Sequence, residues 1–311
     1  AYQIRLFSTY DAGLSGFFAY HLVVILVGVF PASVIALKSF TKKTENTELQ
    51  RIFRQWMYIM FWVVLLLFSM VRTKILHYSS LTYFPLTFLA AWVWEKWLDR
   101  KLEIPPWLVI LLLLIALILG AAAIGLPLVA THPQWLTGKD FAFLDAFSRN
   151  ALQANVHWSG TEWLIGVFLI AGVLFSAIQI LKRNPVGLIT LHVVSLLFVS
   201  TSIYTFTGRI ERYTQRAAIN FFEDLKGRDV YVNTLGYKSY AHLFYFGKQP
   251  PGETEKDDVE WLLDHETEKD AYFVMKVDKK QQILEKYPGL EVLYEKNGYV
   301  FTLKKAVPGD D

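Results

Sequence analysis

Seven consecutive residues, Arg72-Thr73-Lys74-Ile75-Leu76-His77-Tyr78, place two fixed cations, an imidazole and a phenol between two apolar runs. An arginine and a lysine this close suit a phosphate or pyrophosphate, since guanidinium offers a planar fork and ammonium a compact point charge. Tyr78 adds a ring that can stack on a sugar or hydrogen-bond it. The same residue types also anchor helices at a membrane interface, and spacing alone leaves both readings open. His21, beside Tyr20, lies inside an apolar run. An ionisable ring there is either functional or hydrogen-bonded to a neighbouring helix. His192 is placed similarly. Asp140 and Asp145 lie five apart in segment 131–162 and could act as an acid/base pair, although exposed loop carboxylates are commoner. His132 and His157 share that segment without metal-ligand spacing. The chain carries no phosphate-cradling Gly-rich loop, nucleophile elbow or HExxH motif. It has no cysteine, which removes disulfides and thiolate chemistry from consideration.

The elements that must position these residues are largely apolar. Of 311 residues, 53% are hydrophobic, in runs at roughly Phe17–Leu37, Trp56–Val71, Leu81–Trp97, Trp107–Ala130, Trp163–Leu181 and Val186–Phe206. Runs of this length with almost no charge match a hydrocarbon slab about 30 Å thick, so about six transmembrane helices are expected. Trp56, Trp97, Trp107 and Trp163 stand at run ends, where indoles rest at headgroup level. Alternate connections, 38–55, 96–106 and 182–183, carry ten Lys/Arg against five (Arg5, Arg72, Lys74, Lys139, Arg149) on the opposite side. The positive-inside bias puts the first set in the cytoplasm and the C-terminus outside.

The net charge of +3 conceals a division. Residues 1–206 hold 15 Lys/Arg against 9 Asp/Glu, whereas 207–311 hold 16 against 19. A domain boundary is therefore expected near Gly208, with a helical membrane domain over 1–207 and a small water-compatible α/β domain over 208–311. In the latter, Arg209–Lys226 has helical spacing, and Tyr237–Tyr245, Val259–His265 and Lys279–Tyr287 also suggest helices. Strand signals fall at Asp229–Asn233, Ala271–Val277, Val292–Glu295 and Tyr299–Lys304. The last two flank Asn297-Gly298, a hairpin signal. No basic patch with interleaved aromatics marks this domain, so nucleic acid is not an expected partner.

Several short stretches resemble bacterial membrane glycosyltransferases of family 39, which have the GT-C fold. They are Tyr2-Gln-Ile-Arg-Leu-Phe7, Asp11-Ala-Gly13, Phe17-Phe-Ala-Tyr-His21 and Gly28-Val-Phe-Pro-Ala-Ser33. The segment Arg72–Tyr78 with Pro85 is similar to the family's basic stretch after a span. Asp229-Val-Tyr-Val232, Gly236-Tyr-Lys-Ser-Tyr240 and Phe244-Tyr245 look like its extracytoplasmic domain. Two departures stand out. His77 replaces the family's usual proline context before the tyrosine, and Leu14 stands where relatives often have a histidine used near a metal.

The resemblance implies the C-terminal half of a GT-C fold in a bacterial inner membrane. It implies transfer of a sugar from a polyprenyl-phosphate donor to an extracytoplasmic lipid, glycan or protein. Arg5, Arg72, Lys74, His77 and Tyr78 are then expected at the donor phosphate and sugar. The catalytic carboxylate is expected in a preceding N-terminal half, without which this chain would be inactive. A divalent metal ion is a further expectation, and membrane lipids are partners. A polytopic transporter or lipid flippase and a non-catalytic assembly subunit remain as alternatives.

Overall fold

The computed structural model describes residues 17, 19–41, 47–71, 74–137, 144–248 and 258–307, apart from the Leu76 side chain. The described chain divides into two compact units, residues 1–125 with 162–202, and 126–161 with 203–311.

The first unit is helical. Helices α1 (Tyr20–Gly28) and α2 (Ala32–Ala36) are separated by Pro31, which cannot continue a helix. The α1 segment meets Ala32–Phe40 at 112°. Ser33 Oγ donates to the Leu26 carbonyl at 2.6 Å across the break, so a backbone acceptor near the bend is satisfied. Helix α3 (Glu48–Met70) begins at Thr47, whose side chain accepts from the Gln50 N–H. Then come α4 (Tyr83–Leu98) and α5 (Pro106–Thr131). Helix α6 (Ala146–Ala151) belongs to the second unit, and α7 (Leu164–Leu181) precedes α8 (Val186–Thr214), whose residues from Ile203 onward also fall in the second unit. At the crossing of α5 and α7 a Cβ on Gly166 would stand 2.2 Å from the Gly120 carbonyl oxygen, so only glycine permits this approach.

Among the described residues, α3, α5, α7 and α8 are long and apolar enough to span a membrane, and the bent α1–α2 pair makes a fifth. The expected run Leu81–Trp97 becomes α4, with 16 residues. That is about 24 Å of helix, short of the hydrocarbon core. It is also mostly buried, with Leu89 and Val93 fully enclosed. By length and composition, the six apolar runs thus give four or five candidate spans among the described residues, α4 falling below the length counted as one.

The second unit contains a four-stranded sheet in the order β1-β2-β4-β3. Its strands are β1 (Tyr231–Leu235), β2 (Ala271–Lys276), β3 (Glu291–Lys296) and β4 (Tyr299–Lys304). β1 runs parallel to β2, and the other pairings are antiparallel. Asn297 and Gly298 both take positive φ, as the tight β3–β4 turn requires. Helix α9 (Arg216–Leu225) lays Ala217, Ala218, Phe221, Phe222 and Leu225 over Val232, Val274 and Phe301. The opposite face holds Phe273, Met275 and Val300 beneath Leu262 of α10 (Val259–Asp264), with Ile283 of α11 (Lys280–Lys286) packed at its margin. Period-two alternation along β2 therefore feeds two cores.

The anticipated boundary at Gly208 lies inside continuous helix, since α8 runs unbroken to Thr214. Residues 126–161 associate with the C-terminal sheet instead of standing as a separate loop. Phe147 is the reason. Its ring meets Tyr299 edge-on at 5.1 Å and lies 4.5 Å from the Lys276 ammonium.

Candidate functional site

Helix α3 ends at Met70, Val71 adopts an extended conformation, and the chain reaches Lys74 before a 3₁₀ segment, Leu76–Thr82. The ending leaves several carbonyls without intrahelical donors. Lys74 turns back onto them. Its Nζ donates to the carbonyls of Phe68 at 3.3 Å, Ser69 at 2.7 Å and Val71 at 2.6 Å. All three ammonium protons are therefore used, the residue is buried, and the cation sits at the negative end of the helix dipole.

Phe68 joins the rest of the cluster. The Tyr78 ring lies 5.3 Å from it and the His21 ring 6.2 Å. Tyr20 meets His21 edge-on at 5.2 Å, and His77 meets Tyr78 at 5.1 Å. His21 is fully buried, and neither ring nitrogen has a hydrogen-bond partner among the described residues. His77 is exposed and Tyr78 half-buried. The structure thus gathers His21, Lys74 and Tyr78 around Phe68, an aromatic that motif reasoning passed over. Its signal was position, one turn before the end of an apolar run. Arg5 and Arg72 lie outside the described residues, as does Asp140.

The remaining sequence candidates have local structural roles. His192 approaches the Leu188 carbonyl with Nδ1 at 2.9 Å and packs against Trp94. His132 stacks on Trp135 at 4.6 Å. The His157 carbonyl accepts from Arg209 Nε at 3.2 Å. Asp145 caps α6 by accepting from the Ser148 N–H at 2.6 Å, and this hydrogen bond holds its carboxyl below the usual range. Among the described residues, no three His, Asp or Glu side chains are grouped to hold a metal.

Sequence reading also missed His242, in a π-helical turn, His242–Phe246, next to the sheet. It is buried against Phe222 at 5.9 Å with Nδ1 unpartnered among the described residues. Burial, and then the nearby Lys248 charge, push its pKa down to about 4.

These features define a multi-pass membrane protein with an appended α/β domain. Two solved structures share the arrangement, both of ArnT from Cupriavidus metallidurans. One is bound to undecaprenyl phosphate, with 15% identity and a TM-score of 0.53 over 96% of this chain. The other is the apo state, with 16% identity and the same TM-score and coverage. The chain spans about half the length of these structures, 54% of each. At such identity the likeness shows the fold, the GT-C arrangement expected from sequence. No protein-family model matches the chain. No curated protein matches it either.

Proposed function

We propose that the chain belongs to a glycosyltransferase that moves a sugar from a polyprenyl-phosphate donor to an acceptor outside the cytoplasmic membrane. The observation that carries this reading is the fold likeness, over 96% of the chain, to an ArnT structure bound to undecaprenyl phosphate. In the transfer an acceptor oxygen bonds to the anomeric carbon while the bond from that carbon to the phosphate oxygen breaks. The phosphate keeps the electron pair, and the acceptor proton passes to a general base. Cations must stabilise the charge growing on the leaving phosphate.

Arg5 and Arg72 are assigned that task here. Lys74, whose protons are held by carbonyls, reaches the phosphate only by exchanging one of them. Otherwise it acts as a positioning residue that holds the 3₁₀ segment and Tyr78. Tyr78 and His77 face the sugar, and His21 supports Tyr78 through Phe68.

One observation favours a lipid flippase instead. The α1–α2 pair is a discontinuous helix, which transporters use at substrate sites. Native mass spectrometry of the nanodisc-held chain tests donor binding. Saturable retention of undecaprenyl phosphate over a phosphate-free polyprenol is expected, and equal retention of both would refute the reading. Sugar transfer by the protein containing this chain then separates an enzyme from a flippase, which would move the lipid between leaflets without cleaving it.

A further inference from the structure

The adjacent parallel strands β1 and β2 send the chain to opposite faces of the sheet. After β1, Tyr237, Ala241 and Phe246 pack on the core beneath α9. After β2, Val277 and Ile283 join the core on the other face. Such a divergence opens a crevice outside the carboxyl ends of parallel strands, where open α/β sheets hold their ligands. A cavity of about 320 Å³ lies there, lined by Asn233 of β1, Val259 of α10 and side chains of the stretch Tyr237–Lys248. Its volume is that of a small-molecule pocket.

The polar lining narrows the ligand. Lys238 and Lys248 bring two ammonium groups, and no acid is among the described lining residues. Asn233 is buried, and its Oδ1 accepts from the Thr234 N–H at 2.9 Å, which leaves the carboxamide its NH2 to give. Ser239 Oγ accepts from the Ala241 N–H at 3.2 Å and keeps its own proton to donate. This set of donors suits an anion. Tyr237, Leu243 and Val259 offer apolar surface to a carbon skeleton. His242 adds a second demand. It is 6% exposed, and its Nδ1 has no partner among the described residues, which is costly for a buried polar atom. The ring is neutral near pH 7, so it offers a lone pair as well as an N–H. A ligand ammonium meeting that lone pair would be repelled by the two lysines, whereas a hydroxyl brings the hydrogen without the charge.

We infer that this cavity binds a small, free hydroxycarboxylate, with its carboxylate on Lys238, Lys248 and the Asn233 amide and its hydroxyl on the His242 imidazole. The binding is independent of sugar transfer.

Calorimetric titration of the whole chain in nanodiscs tests this with four probes: 3-phenyllactate, 3-phenylpropionate, phenylalanine and inorganic phosphate. 3-Phenyllactate is expected to bind about ten-fold more tightly than 3-phenylpropionate, which lacks only the hydroxyl, the scale of one hydrogen bond to a buried group. Phenylalanine, with an ammonium in place of that hydroxyl, should bind at least about ten-fold more weakly than 3-phenyllactate. Lys238→Gln should weaken 3-phenyllactate binding about ten-fold, and the position is exposed, so folding should persist. His242→Phe should abolish the preference for the hydroxyl, so that 3-phenyllactate and 3-phenylpropionate bind alike. Lys305→Gln, outside the cavity, should change nothing. Equal binding of 3-phenyllactate and 3-phenylpropionate to the parent chain, or an unaffected Lys238→Gln variant, overturns the inference. Phosphate binding as tightly as 3-phenyllactate would overturn it too, since the cavity would then hold any small anion.

Discussion

The Lys74 ammonium nitrogen lies 2.7 Å from the Ser69 carbonyl oxygen, one of three acceptors it takes at the end of α3. The same device recurs in the C-terminal domain. There Lys304 Nζ donates to the carbonyls of Leu262, Leu263 and His265 at the end of α10. In both places a lysine satisfies a helix ending that has no glycine cap, Lys74 buried and Lys304 half-buried.

Replacing Lys74 therefore has a structural cost. Lys74→Met keeps the aliphatic stem but leaves the three carbonyls without their donor, and stability should fall by about 1–3 kcal/mol. Thermal unfolding in detergent measures it. Lys74→Arg, which keeps a donor, should retain most of the stability. A Lys74→Met protein that unfolds at the parental temperature but binds undecaprenyl phosphate poorly would make Lys74 a phosphate ligand instead of a cap.

His242 should make the C-terminal domain acid-sensitive. Its pKa is about 4 in the fold against 6.5 in the unfolded chain. As pH falls through this interval the unfolded state takes up a proton that the fold refuses, so stability is lost. Between pH 6.5 and 4 the contribution is up to about 3 kcal/mol. His242→Phe, with no charge to bury, should flatten the profile across this interval. Denaturant unfolding at a series of pH values decides. An unchanged slope in the variant would show that His242 does not control it.

Orientation can be read by thiol labelling, because the chain has no cysteine of its own. Lys101 and Tyr240 are exposed. In intact cells Lys101→Cys should resist an impermeant maleimide, while Tyr240→Cys should react. The opposite pattern would invert the topology and move the 74–82 segment to the cytoplasmic side.

Gly298 should be among the least replaceable positions of the C-terminal domain. It has φ of +83°, and a Cβ there would stand 2.8 Å from both a ring carbon and the carbonyl oxygen of Phe147. Gly227 has φ of +80° but open space around it. Gly298→Ala should therefore cost about 1–3 kcal/mol more than Gly227→Ala, the difference being the clash with Phe147. Equal losses in denaturant unfolding would mean that Phe147 does not hold segment 126–161 against the sheet.

By itself the sequence determined the membrane character, the α/β nature of the C-terminal part and all four strands, because hydrophobic periodicity and the Asn297-Gly298 turn are local signals. It also singled out Lys74 and Tyr78 by their position between apolar runs. Only the tertiary structure decided what these residues touch. An ammonium reads the same in sequence whether it awaits a phosphate or caps a helix, and the choice at Lys74 lies in the contacts of its Nζ with the carbonyls that end α3. Phe68 as the meeting point of His21 and Tyr78, Phe147 as the tie between segment 126–161 and the sheet, and α4 as a packed helix are contacts between residues far apart in the chain. No pattern within a single window encodes them, since burial depends on which surfaces the fold brings together.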